Sequence, residues 1–271
     1  MKPRKRVKLL TALLTLLVLL IYSFPFLWML TASFKTQAQI MSTNNIFIFE
    51  PTFHNYASVF QEYNFLKFIN NSFVVAVGST LFSLLLGLPA AYAIAKYHLQ
   101  KLGMVILVAR IIPGITFLIP WFILFSQVNL VDTYTALILS HMLVALPFIV
   151  WIMISFFEVL PKEIEESGLI DGCTNHQVFV RIVLPISGPG IITSSLLSFI
   201  FSWNNFMFSI ILAGDKTKTL PIAVFNFMSY SEINWGGLMA AACIITLPVL
   251  VISLFAQRYV VSGLAAGAVK G

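Results

Sequence analysis

Six charge-free intervals, residues 9–34, 68–95, 111–131, 133–157, 182–214 and 233–257, alternate with shorter polar stretches along this chain. Each is long enough to hold the roughly 20 apolar residues that a helix needs to cross the hydrocarbon core of a bilayer. The pattern predicts an all-α integral membrane protein of six transmembrane helices, at about 9–34, 70–96, 104–127, 133–157, 186–213 and 236–260, forming one membrane domain over residues 1–271. Charge is concentrated between the fourth and fifth spans, in a loop of about residues 158–185 that holds Glu158, Glu163, Glu165, Glu166 and Asp171.

Composition agrees with a bilayer-embedded chain, since 59% of the 271 residues are hydrophobic and only 10% charged. Basic residues set the orientation. With the N-terminus inside, the inner face carries Lys2, Arg4, Lys5, Arg6, Lys8, Lys96, Lys101, Arg110, Lys162, Arg181, Arg258 and Lys270, and the outer face only Lys35, Lys67, Lys216 and Lys218. The positive-inside bias therefore favours both termini in the cytoplasm. Basic residues beside a span are drawn to anionic headgroups, so the net charge of +6 implies lipid as a partner and needs no nucleic acid. The first apolar run exceeds a cleavable signal core and is expected to remain as an anchor. Cys173 and Cys243 fall in the loop and in the last span, and neither is assigned a role.

Local chemistry predicts two short helices in the polar loop. Pro161 suits a first helical turn, and Glu163, Glu165 and Glu166 place negative charge near the positive end of the dipole, so a helix is expected from Pro161 to about Ile170. Gly172 permits a left-handed turn, and Thr174 or Asn175 can cap a second helix carrying Val178, Phe179 and Ile182. Leu184 and Pro185 close it.

The spacing of Glu166-Ser167-Gly168, three residues to Gly172, then nine to Ile182-Val-Leu184-Pro185 resembles the cytoplasmic signature loop of ABC-importer permease subunits, the EAA loop. Ser167-Gly168 stands where Ala-Ala is usual, and Cys173 where a small Ala is common; both preserve small size. The resemblance extends to Ser202-Trp203-Asn204-Asn205-Phe206, to Trp235-Gly-Gly-Leu-Met-Ala and to the C-terminal run from Gln257 to Gly271, which look like the MalG-like subunits of carbohydrate importers. It implies that Glu166, Ser167, Gly168, Asp171, Gly172, Ile182, Leu184 and Pro185 couple the chain to a separate ATPase. It also implies a second, homologous permease subunit, two ATP-binding ABC ATPase subunits and an extracytoplasmic sugar-binding protein in a bacterial cytoplasmic (inner) membrane. The small residues from Ser262 to Gly271 are a further candidate contact to the ATPases. For the binding protein, the candidates are outside residues 35–67 and 214–236.

Trp203, Asn204 and Asn205 are candidate substrate-path residues. An indole can lie on a sugar face and amides can pair with hydroxyls, although interfacial Trp and interhelical amide bonding account for them equally well. Arg110 reads as a residue at the cytoplasmic start of the third span that snorkels to the interface. His141, inside the fourth span, reads as hydrogen-bonded structure.

Three function classes follow from what the sequence carries. A permease driven by separate ATPases is favoured, because the chain contains no G-x-x-x-x-G-K-[ST] loop with which to hold ATP itself. The alternative, a secondary transporter of a small solute, usually places acidic residues within spans, and here every Asp and Glu falls in a loop or at a boundary. An enzyme is the weakest reading: no catalytic residue, metal ligand set or cofactor motif is found, so none is expected.

Overall fold

The computed structural model describes residues 5–228 and 233–268. Residues 229–232, within the outer stretch 214–236, and the tail residues 269–271 lie outside the described residues. The chain is helical, without β-strands among the described residues. Its helices are α1 (Lys5–Ser33), α2 (Gln37–Met41), α3 (His54–Gln61), α4 (Phe65–Lys96), α5 (Gln100–Ile111), α6 (Leu118–Gln127), α7 (Tyr134–Phe157) and α8 (Lys162–Ile170). They continue with α9 (Asn175–Val178), α10 (Leu184–Ile186), α11 (Gly188–Trp203), α12 (Met207–Leu212), α13 (Leu220–Ala223) and α14 (Trp235–Ala268).

Four helices are individually long and apolar enough to cross a membrane: α1 from Lys8, α4, α7 and α14 as far as Leu254. A fifth span arises if the segments Asn175–Ile186 and Gly188–Trp203, bent by 76° at Ser187, count as one. The third expected span, 104–127, is interrupted. Pro113 cannot donate to a helix ladder and pushes Ile112 into an extended conformation, so the span divides into α5, a 3₁₀ turn over Gly114–Phe117, and α6. The expected 186–213 helix likewise breaks between Trp203 and Met207.

The chain forms two compact units, residues 1–66 with 224–247 and residues 67–223 with 248–271. In the first, the α1 window carries no buried residue, and the aliphatic side chains from Leu9 to Leu30 face outward, as expected of a helix whose neighbours are lipid or another subunit. Polar bonds tie the short elements beyond it: Asn55 Nδ2 donates to the carbonyls of Ser33 and Lys35, both at 2.8 Å, and the Trp235 N–H donates to Gln37 Oε1.

In the second unit, α4, α7 and the loop of 158–185 share a core of Ala91, Tyr92, Ile149, Met153, Phe157, Val178 and Val183. Farther along α4 and α7, Val75, Phe125, Leu137, Phe208 and Leu212 form another. A seam of buried hydroxyls, including Ser79, Ser83, Ser194, Ser198 and Ser202, lies on α4 and α11; small residues of this kind allow helices in lipid to approach closely. At Gly190 the contact is closer still, since a Cβ there would sit 2.7 Å from the Phe156 ring.

A buckle fastens the segment that follows α12. Asp132, with φ of +60°, accepts bonds from the N–H groups of Gly214 and Thr217 and from the Thr217 hydroxyl at Oδ1, and from the Lys216 N–H at Oδ2. Asn71 Nδ2 donates to the carbonyls of Lys216 and Lys218, and Ser72 Oγ accepts from the Leu220 N–H. Partial burial acts to raise the Asp132 pKa, but the Thr217 hydroxyl and the three backbone N–H groups outweigh it and hold the carboxyl below its usual range.

Candidate functional site

Local sequence explains the hairpin of residues 161–186. Pro161 stands at the N-cap of α8, one residue ahead of the helix, in an extended conformation, and Glu163 and Glu165 occupy the first turn. At the other end Gly172 takes φ of +85°, its N–H donates to Leu169 O at 3.1 Å, and the Cys173 N–H reaches back to Gly168 O at 3.0 Å. That pair of bonds is the Schellman closure, which needs a left-handed residue at the glycine position. Thr174 then caps α9 in a reciprocal box with Gln177: the Thr174 N–H donates to Gln177 Oε1 at 2.8 Å, and Thr174 Oγ1 accepts from the Gln177 N–H at 3.3 Å. The helix continues as a π-helical segment, Phe179–Val183, into α10.

Within this hairpin the residues singled out from the sequence divide into two groups. Gly168 is buried, and a Cβ there would run into Ile182 Cδ1 and lie 3.3 Å from Val178 Cγ2; this contact presses α8 against the second arm. Leu184 is half-buried and Pro185 exposed where the arm ends. Glu166, Ser167, Asp171 and Gly172 are exposed around the tip, and beside them Ile170 is 86% and Leu169 43% exposed. Acidic side chains thus rim an exposed apolar tip at the end of the hairpin.

One part of the arrangement has no sequence-local signature. Lys96, in the last turn of α4, pairs with Glu165 of α8 at 2.9 Å and donates to Asn175 Oδ1 of α9 at 3.2 Å, so one ammonium holds both arms of the hairpin. Tyr92 donates to Glu165 Oε2 at 2.7 Å, accepts from Lys96 at 3.0 Å and stacks on Phe179 with ring centroids 4.8 Å apart. The hairpin is thus clamped to α4. Lys96→Glu and Glu165→Lys should each loosen it, and the double exchange should restore it. A pair about one-fifth exposed, reinforced by a hydroxyl, supports a coupling energy of roughly 1 kcal/mol. Amide exchange of residues 162–178 reads this directly; additive single effects would show that the pair does not hold the hairpin.

The other candidate residues lie at the break between α11 and α12. Trp203 is 2% exposed and stacks on Phe199. Ser202 just before it is held by His141 Nδ1 at 2.6 Å and by Ser79 Oγ at 3.0 Å, which accounts for the histidine inside the span. Asn204 and Asn205 instead line a cavity of about 590 Å³, together with Val144, Phe148, Phe201 and Arg110. Trp203 does not line it. Arg110 falls in the last turn of α5, which starts at Gln100, with the guanidinium 4.6 Å from the centroid of the Phe148 ring. Among the described residues, no group of three or more His, Cys, Asp or Glu side chains is placed to hold a metal ion.

Over residues 1–265 the chain matches the family described as binding-protein-dependent transport system inner membrane component. It is 37% identical over 267 residues to a probable ABC transporter permease protein, y4oR, of Sinorhizobium fredii, covering 97% of this chain and 96% of that one. It is 32% identical to the trehalose/maltose transport system permease protein MalG of Thermococcus litoralis (94% of each chain) and 32% identical to the diacetylchitobiose uptake system permease protein DasC of Streptomyces coelicolor (92% of each). In fold it resembles a chain of a bacterial ABC transporter that imports the acidic polysaccharide alginate, with a TM-score of 0.80 at 19% identity over 94% of this chain and 96% of that chain.

Proposed function

The chain belongs to the family of binding-protein-dependent transport system inner membrane components, and from that premise we propose that it is the permease subunit of an ATP-driven ABC importer for a carbohydrate. ATP hydrolysis is the work of partner subunits, and family membership favours this reading over a secondary transporter. The observation that carries the coupling role is the clamped hairpin: an acidic and apolar tip at Glu166–Gly172, stiffened by a Schellman closure and tied through Lys96 to the end of a spanning helix. A load applied at that tip is transmitted to α4, α7 and α11 through packed side chains.

In this reading the complex contains a second homologous permease, two ATPase copies and an extracytoplasmic sugar-binding protein. The chain crosses the bacterial inner membrane six times with both termini inside, the third crossing being made jointly by α5, the 3₁₀ turn and α6. Glu166, Ser167, Asp171 and Gly172 meet the ATPase, while Gly168, Ile182, Leu184 and Pro185 keep the hairpin in shape for it. Asn204 and Asn205 face the solute, with Trp203 supporting their turn from behind. The small residues from Ser262 onward approach the ATPases, and residues 35–67 and 214–236 the binding protein.

The deciding experiment is ATPase activity of the affinity-purified, co-expressed complex in lipid with its binding protein, across a panel of mono- and oligosaccharides. Stimulation by a sugar is expected. If no ATPase co-purifies with the chain, the coupling reading fails.

A further inference from the structure

An arginine inside a membrane span needs an anionic partner, because a bare cation in hydrocarbon is expensive whatever scale is used. In the six-crossing reading above, Arg110 lies nine residues beyond Lys101 along α5, about 14 Å at 1.5 Å per residue. Its guanidinium lies over the Phe148 ring and lines the cavity beside Asn204 and Asn205. No carboxylate pairs with it among the described residues.

The rest of the cavity is suited to a carbohydrate. Asn204 spends its Nδ2 on the Ile200 carbonyl at 3.0 Å, and Asn205 accepts the Phe208 N–H at Oδ1. Asn204 Oδ1 and Asn205 Nδ2 remain, an acceptor and a donor on neighbouring residues, as hydroxyls require. Phe148 and Phe201 supply apolar ring surface, and 590 Å³ falls within the roughly 300–1,000 Å³ of small-molecule sites.

We propose that the solute carried past this subunit is an acidic carbohydrate, whose anionic oxygens pair with Arg110 while its hydroxyls meet Asn204 and Asn205. This rests on the importer reading above and narrows its substrate class. A guanidinium forks onto a carboxylate, sulfonate or phosphate in the same two-point geometry, so the shared feature is the planar pair of anionic oxygens rather than one acid. The Phe148 ring, 4.6 Å from the guanidinium, favours that position by cation–π attraction before the solute arrives.

The test is uptake by the complete complex, with its binding protein, in proteoliposomes offered a matched pair, digalacturonate and the neutral disaccharide galactobiose. Wild type should carry the acidic member faster. Arg110→Gln should lower that uptake at least about tenfold with less than about a twofold change for the neutral sugar, and Arg110→Lys should keep part of it. Uptake of the neutral sugar alone by wild type would overturn the proposal, as would equal loss of both in Arg110→Gln. Release of the second permease subunit from Arg110→Gln would also overturn it, by showing that the partner supplies the anion. Transport of neither sugar, with ATP hydrolysis unresponsive to the wider sugar panel, would bring down the importer reading as well; sugar-stimulated hydrolysis without acidic uptake would bring down this proposal alone.

Discussion

Gly172→Val is expected to leave the chain in the membrane but to abolish transport and release the ATPase. The residue sits at φ of +85°, where a β-branched side chain clashes with its own backbone, while a Cβ would meet nothing else within 4 Å. The substitution therefore acts through the backbone alone. To relieve the strain the turn must leave the left-handed region, which opens the bonds from Gly172 to Leu169 and from Cys173 to Gly168 and frees α8 from the second arm. Asn tolerates the left-handed conformation, so Gly172→Asn should keep most of the activity. Uptake and ATPase co-purification of the two variants, measured side by side, check the argument; equal loss in both would mean that the glycine is needed for close contact with the partner rather than for the turn.

Asp132→Ala should free the segment after α12. Four donors lose their acceptor together, and with water admitted to a partly exposed site the penalty is roughly 2–4 kcal/mol. Lys216 and Lys218 lie in that segment, so trypsin should cut the variant there and spare the wild type. Identical digestion patterns would show that Asn71 and Ser72 suffice to hold it. The pH dependence has a fixed sign. The carboxyl titrates lower in the folded chain than at its unfolded value of 3.8, so its stabilisation is complete above that value and is lost as pH falls below it through the lowered folded pKa. Amide exchange of residues 214–220 in wild type should therefore lose protection as pH falls below that value, whereas in the variant it is already lost at neutral pH.

The hairpin was legible in the sequence because its determinants are local. Pro161, Gly172 and Thr174 each dictate backbone geometry within four residues, and α8 ends at Ile170 as expected. The clamp was not, because Lys96 and Glu165 belong to different helices and a lone basic residue at a helix end reads equally well as an interfacial charge. Taken as a boundary between apolar runs, Asp132 marks only the gap between two expected spans. Asp132 does lie between helices, but as the acceptor of a four-bond buckle. Arg110 lies in the last turn of α5, a helix that begins at Gln100. At the break after Trp203, the asparagines were visible but not the interruption that turns them into a cavity wall and leaves the indole inside.

The 76° bend at Ser187 joins two arms of different length, Asn175–Ile186 and Gly188–Trp203. At 1.5 Å per residue these measure about 18 Å and 24 Å, so if the elbow holds its angle the piece works as a bell crank. A sideways shove of about 3 Å on the short arm then swings the far end of the long arm, where Asn204 and Asn205 lie, by about 4 Å in a direction turned nearly at right angles. The stroke is comparable to the width of a water molecule, enough to change which side of a narrow passage is shut.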